Sequence, residues 1–80
     1  MDMGYYNYNF VLGDKLKELR KRSGKTIEQI SEEVDCDPRT ISNYEKGMMP
    51  RLSIYHRYLS VLDISDAERI DLVLLAYGNR

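Results

Sequence analysis

Two helical signals stand only three residues apart in the middle of this chain, and that spacing restricts its fold more than any other feature. Thr26 and Gln29 form a capping box, in which each side chain satisfies the other's orphan backbone amide. Ile27, Ile30 and Val34 follow at i, i+3, i+7, an apolar stripe along one helix face. Asp37 and Pro38 announce the next helix. The aspartate caps free N–H groups, and proline suits the first helical position because its missing N–H is not needed there. Ile41 and Tyr44 supply that helix's inner face and Gly47 its end. Only Asp35, Cys36 and Asp37 separate the two, so the second helix has to cross the first steeply. Ser31 is small where the helices must approach. Asp35 stands where the backbone must turn through the left-handed region, which Asp tolerates better than most residues.

The flanking segments are also helical. Leu12, Leu16 and Leu19 recur at i, i+4, i+7 from Phe10 to about Ser23, with Asn9 as N-cap and Gly24 as the stop. Pro50 and Arg51 lead into a fourth helix with Leu52, Tyr55, Leu59 and Leu62 on its inner stripe. Ser65 and Glu68 make a second capping box, opening a last helix expected over 66–77. Five short helices and no strand-rich segment predict an all-α domain. Its 80 residues suit a single core, expected over 10–80, with residues 1–9 an aromatic arm carrying Tyr5, Tyr6 and Tyr8.

The composition narrows the function by exclusion. The longest apolar run, Leu72 to Tyr77, is far too short to span a membrane, and Met1 to Asn9 has no basic residue to start a signal peptide. A lone Cys36 and a lone His56 make neither a disulfide framework nor a usual zinc site. The carboxylates are spread as caps and helix charges with no evident catalytic pair. The expectation is therefore a cytoplasmic, non-enzymatic protein without cofactor or metal. A net charge of −1 hides a segregation: 15–25 holds six basic residues against Glu18, while 28–37 holds five acidic residues and no basic one. Local fields, not the total, govern binding.

The helix after the tight turn carries Arg39, Ser42, Asn43 and Lys46 opposite Ile41 and Tyr44, at i, i+3, i+4, i+7. None is apolar or acidic. An α-helix fits the major groove of DNA, where Arg can bond guanine O6 and N7, Asn can bond adenine N6 and N7, and Ser can take either role. An ordinary solvated face is the other reading of the same residues. The short turn and the small residue at the crossing favour DNA, with Arg39, Ser42 and Asn43 as base contacts.

With those residues in place, the stretch LKELRKRSGKTIEQISEEVDCDPRTISNYEKGMMP, with the later LSVLDIS, resembles the Xre or phage Cro/C1-repressor type of helix-turn-helix domain. The resemblance runs from Leu12 to Ser65. It implies a five-helix lambda-repressor-like fold with the helix-turn-helix over 26–47, dimeric binding to palindromic double-stranded DNA, and transcriptional control. It further implies a partly buried ion pair between Arg20 and Glu45, and phosphate contacts from Thr26, Thr40, Lys46 and Arg51. Where many members begin the second helix with Gln, this chain has Ile27. Pro38 offers no polar side chain at the start of the third helix.

The consecutive apolar residues of the last helix exceed what a one-sided stripe needs. Ile70, Val73, Leu74 and Tyr77 are expected in the core, leaving Leu72, Leu75 and Ala76 for a dimer interface. The aromatic arm and this helix would serve equally well to bind a different chain. A protein-interaction module, such as an antitoxin that binds a partner protein and regulates its own gene only secondarily, is the competing function.

Overall fold

The computed structural model describes residues 9–78. The arm residues Tyr5, Tyr6 and Tyr8 lie outside them. The regular elements among the described residues are helices: α1 (Phe10–Arg22), α2 (Ile27–Val34), α3 (Pro38–Glu45), α4 (Leu52–Val61) and α5 (Asp66–Val73). The last continues as a π-helical turn over Leu74–Gly78.

Each helix start has a local cause. The Asn9 carboxamide oxygen accepts from Leu12 N at 3.0 Å and caps α1. Thr26 and Gln29 exchange side-chain bonds at 2.8 and 3.1 Å to cap α2. Asp37 accepts from Arg39 N at 2.8 Å with Pro38 at the first position of α3. Ser65 and Glu68 repeat the capping box at α5. Helix α4 starts behind Arg51 without a side-chain cap. Its placement rests on packing instead.

The core joins Leu12, Leu16 and Leu19 of α1 to Ile30 and Val34 of α2, Ile41 and Tyr44 of α3, and Tyr55, Tyr58 and Leu59 of α4. Two stripe assignments change. Leu52, expected on the inner face of α4, is exposed, and Tyr58 is fully buried in its place. In the last helix Leu72 is 0% exposed, whereas Ile70 and Leu74, expected inside, are 58% and 56% exposed. Leu72 is thus a core residue with no exposed surface of its own to offer a dimer interface. Leu75 and Ala76 are half-buried against the core.

The rotation of α5 follows from polar as well as apolar contacts. Tyr55 donates its buried hydroxyl to Leu72 O at 2.9 Å, and Asn9 Nδ2 donates to Leu75 O at 3.1 Å. Leu75 O lies in the last helical turn, where carbonyls otherwise lack partners, and Leu72 O lies where the α-helix passes into the π-helical turn. The Tyr77 ring meets Tyr55 edge-on with centroids 5.6 Å apart, and its hydroxyl donates to Pro50 O at 2.7 Å.

Helix α1 reaches the end of α3 more closely than side chains would allow. A Cβ on Gly13 would stand 2.7 Å from Gly47 N and 2.8 Å from Glu45 O. Glycine at this position lets the two backbones touch.

Candidate nucleic-acid interface

The turn between α2 and α3 sets the presentation of α3. Asp35 adopts φ 65° and ψ 55°, the left-handed conformation, and Cys36 N returns a bond to Ser31 O at 3.0 Å. Ser31 is buried at the crossing with its hydroxyl donating to Glu28 O at 2.8 Å, so its polar group is satisfied within its own helix. Ile30, Val34, Ile41 and Tyr44 close the inner side. The opposite side of α3 is thereby turned to solvent.

On that side Arg39 and Lys46 are exposed, and Thr40, Ser42 and Asn43 are half-buried. Among the described residues none of these side chains has a hydrogen-bond or ion-pair partner. Arg51, just past the loop, is exposed as well. Thr26 spends its hydroxyl oxygen as an acceptor in the α2 cap. Its hydroxyl proton remains available to a phosphate.

The Arg20 guanidinium and the Glu45 carboxylate form a two-point pair, Nε to Oε2 at 2.5 Å and Nη2 to Oε1 at 3.1 Å. The side chains are 12% and 6% exposed. Arg20 Nη1 also donates to Lys25 O at 3.0 Å. The bond to Glu45 raises the Arg20 pKa further above its ordinary value, partly opposed by burial. The pair ties α1 and the end of the α1–α2 loop to the last residue of α3. Tyr58 lies close by, its buried hydroxyl lacking a hydrogen-bond partner among the described residues. Burial, then the charge of Glu45, raise its pKa.

The basic run of 15–25 divides in two. Arg22 holds Glu68 with both terminal nitrogens at 2.9 Å and bonds Asp63 O, clamping α1 to α5. That bond and the Ser65 backbone bond draw the Glu68 carboxyl down to about 2. Lys25 holds Glu33 at 2.7 Å and Val61 O at 2.8 Å. Arg20, Arg22 and Lys25 are therefore structural cations. Lys15, Lys17 and Lys21 remain exposed.

A cleft of about 300 Å³ opens beside the outward side of α3, lined by Lys17 and Arg20 of α1, Ile27 of α2, and Ser42, Glu45 and Lys46. Sequence spacing marks neither Lys17 nor Ile27 as a polar contact: Lys17 is one of several lysines in a basic run, and Ile27 falls on the apolar stripe, although it stands where many members of the resembled family carry Gln. Elsewhere, among the described residues, no group of three or more His, Cys, Asp or Glu side chains could hold a metal ion. No helix among them is long and apolar enough to cross a membrane.

A helix pair joined by a three-residue turn, with the second helix presenting an uncommitted polar and basic side, defines a helix-turn-helix module. The family described as a helix-turn-helix domain matches residues 11–72, and the chain belongs to it. A protein of Methanoregula boonei, provisionally named an HTH-type transcriptional regulatory protein, is 34% identical over 68 residues, or 85% of this chain. The chain spans 20% of that relative's length. No solved structure matches the chain.

Proposed function

We propose that the chain is a sequence-specific double-stranded-DNA-binding regulator of transcription, repressor-like, of the Xre or Cro/C1 type, acting as a homodimer on a palindromic operator. One observation carries this reading: the outward side of α3 holds cationic and amide side chains that nothing within the described chain engages. In the proposed mode α3 enters the major groove. Arg39 and Asn43 carry most base discrimination, Ser42 adds to it, and Thr26, Thr40, Lys46 and Arg51 fix register on phosphates. The Arg20–Glu45 pair holds the end of α3 in orientation. Family membership supports DNA binding, and the regulatory name of the archaeal relative supports the transcriptional role.

The dimer face proposed here differs from the one the sequence suggested. Val11, Ile70 and Leu74 are exposed apolar side chains, and Val11, Leu74 and Leu75 line an open groove of about 510 Å³ with Lys15 and Asp71, the buried Leu72 forming part of its floor. Lys15 and Asp71 have opposite charges on the two sides of one groove, so a two-fold pairing can set Lys15 of each copy against Asp71 of the other, the reciprocity of a self-complementary contact. Two α3 helices in such a dimer would address half-sites about 34 Å apart, one DNA turn.

Selection of binding sites from random duplexes at stated salt tests the reading. Arg39→Ala and Asn43→Ala should each cost about 1–3 kcal/mol on the selected site and relax one base position. Lys46→Ala should weaken all sequences alike and lower the salt slope by about one. Unchanged site binding by folded Arg39→Ala and Asn43→Ala proteins would refute the assigned face. Leu74→Glu should abolish self-association in sedimentation. If it instead releases a stoichiometric foreign protein that co-purifies from the native host, the apolar face serves the competing interaction role.

A further inference from the structure

The cleft beside α3 holds a pairing of side chains to which the phosphate and base contacts above assign no joint role. Of the six residues lining it, Ile27 alone is apolar, and Ile27 is only half-buried although part of it packs on the core. Arg20 and Glu45 are occupied with each other. The hydroxyls of Ser23, Ser31 and Ser60 each donate to a backbone carbonyl one turn back. The Ser42 hydroxyl, like that of Ser53 on α4, is left unbonded among the described residues, but of the two only Ser42 lines this cleft. The cleft therefore offers an apolar surface, a free hydroxyl donor and the two flanking cations Lys17 and Lys46.

We propose that this cleft reads thymine, with Ile27 meeting the C5 methyl group while the Ser42 hydroxyl donates to O4. The proposal rests on the DNA-binding reading and names a base for it. In the major groove thymine presents a carbonyl acceptor on the ring carbon next to the one that bears its methyl group. Cytosine presents an amino donor there and no methyl, adenine an acceptor and an amino donor, and guanine two acceptors. Only thymine matches an apolar side chain and a donor held together. Ile27 is thus a specificity-determining residue despite having no polar atom in its side chain. Lys17 and Lys46 add attraction for the adjoining phosphates, which favours no base.

The experiment uses the selected duplex and the full chain. Each thymine of a half-site is replaced in turn by deoxyuridine, which removes only the methyl group, or by 5-methyldeoxycytidine paired with guanine, which keeps the methyl and replaces O4 with an amino group. At one thymine per half-site, deoxyuridine should weaken the wild-type protein about fourfold, the worth of one methyl group taken out of water. Ile27→Val should keep most of that loss and Ile27→Gln should abolish it. Ser42→Ala, at a position outside the core, should keep the methyl effect but narrow the preference for thymine over 5-methylcytosine. If deoxyuridine is neutral at every thymine, or its penalty is unchanged in both Ile27→Gln and Ile27→Val, the thymine assignment is wrong while site selection stands. If no sequence is selected at all, the DNA-binding reading fails with it.

Discussion

Replacing Gly13 by alanine sets two opposing effects against each other, and the structure decides the sign. In an exposed helix interior this exchange stabilises by about 1 kcal/mol, since glycine loses more backbone freedom on folding. At Gly13 the new Cβ would lie 2.7 Å from Gly47 N and 2.8 Å from Glu45 O, well inside the ordinary contact distance of about 3.4 Å. Both obstructing atoms are backbone, so no side-chain rotation relieves the clash. The helix and the end of α3 must separate, and overpacking of this kind costs about 1–3 kcal/mol. The net expectation is a loss of up to about 2 kcal/mol in urea denaturation at unchanged m, with a fall of about 4–8 °C in Tm per kcal/mol for a domain of this size. Because the displaced atoms terminate the recognition helix, affinity for a selected DNA site should fall as well, even at temperatures where the protein is fully folded. A Gly13→Ala protein more stable than the wild type, as in an exposed helix interior, would refute the close approach of α1 to the end of α3.

Glu45→Gln leaves the Arg20 guanidinium largely buried without its counter-charge, and should destabilise by about 3 kcal/mol in chemical denaturation; a change near zero would mean that the pair is solvated in solution. The Glu68 carboxyl is drawn down to about 2 from an ordinary value of 4.5, so it binds its proton more weakly in the folded state than in the unfolded one. The stability it contributes is complete above about pH 4.5 and is lost as pH falls toward 2. Glu68→Gln should flatten this limb of a stability–pH curve, and identical acid limbs for both proteins would contradict the Arg22–Glu68 clamp. Asp35→Gly relieves a left-handed residue and should raise stability by up to about 1 kcal/mol without changing DNA selectivity, as judged by melting and by site selection.

The parts of this fold legible in the sequence are those with local causes. The capping boxes at Thr26–Gln29 and Ser65–Glu68 and the Asp37–Pro38 start involve residues within one helical turn, so spacing alone reveals them. The inner stripe of α3 was legible for a related reason: two apolar residues among polar ones define a phase. Helix α5 shows the converse. Residues 72–77 are all apolar, and a continuous run has no phase to read. Its rotation depends on Tyr55 and Asn9, which bond Leu72 O and Leu75 O from distant parts of the chain. The same reason hid Tyr58 behind Leu52, and hid the division of the basic run into cations tied to Glu45, Glu68 and Glu33 and cations left in solvent. Gly13 gave no sign at all, because a close backbone approach exists only once both segments are folded. In the candidate interface, the outward residues of α3 followed from periodicity, while Lys17 and Ile27 joined them only through the crossing of three helices.

Asn9 bonds three separate places: its N–H donates to Gly47 O at 2.7 Å, its carboxamide oxygen and its carbonyl accept from Leu12 N and Gly13 N at the start of α1, and its Nδ2 donates to Leu75 O. Helix ends are ordinarily the first parts of a domain to open. Here the opening of the start of α1 or of the last helical turn would release a knot that also fastens the loop behind α3. Opening there and loss of the geometry at the end of α3 are thus a single event, and the amide protons of Asn9 and Leu12, both bonded within this knot, should show matched protection from exchange with solvent.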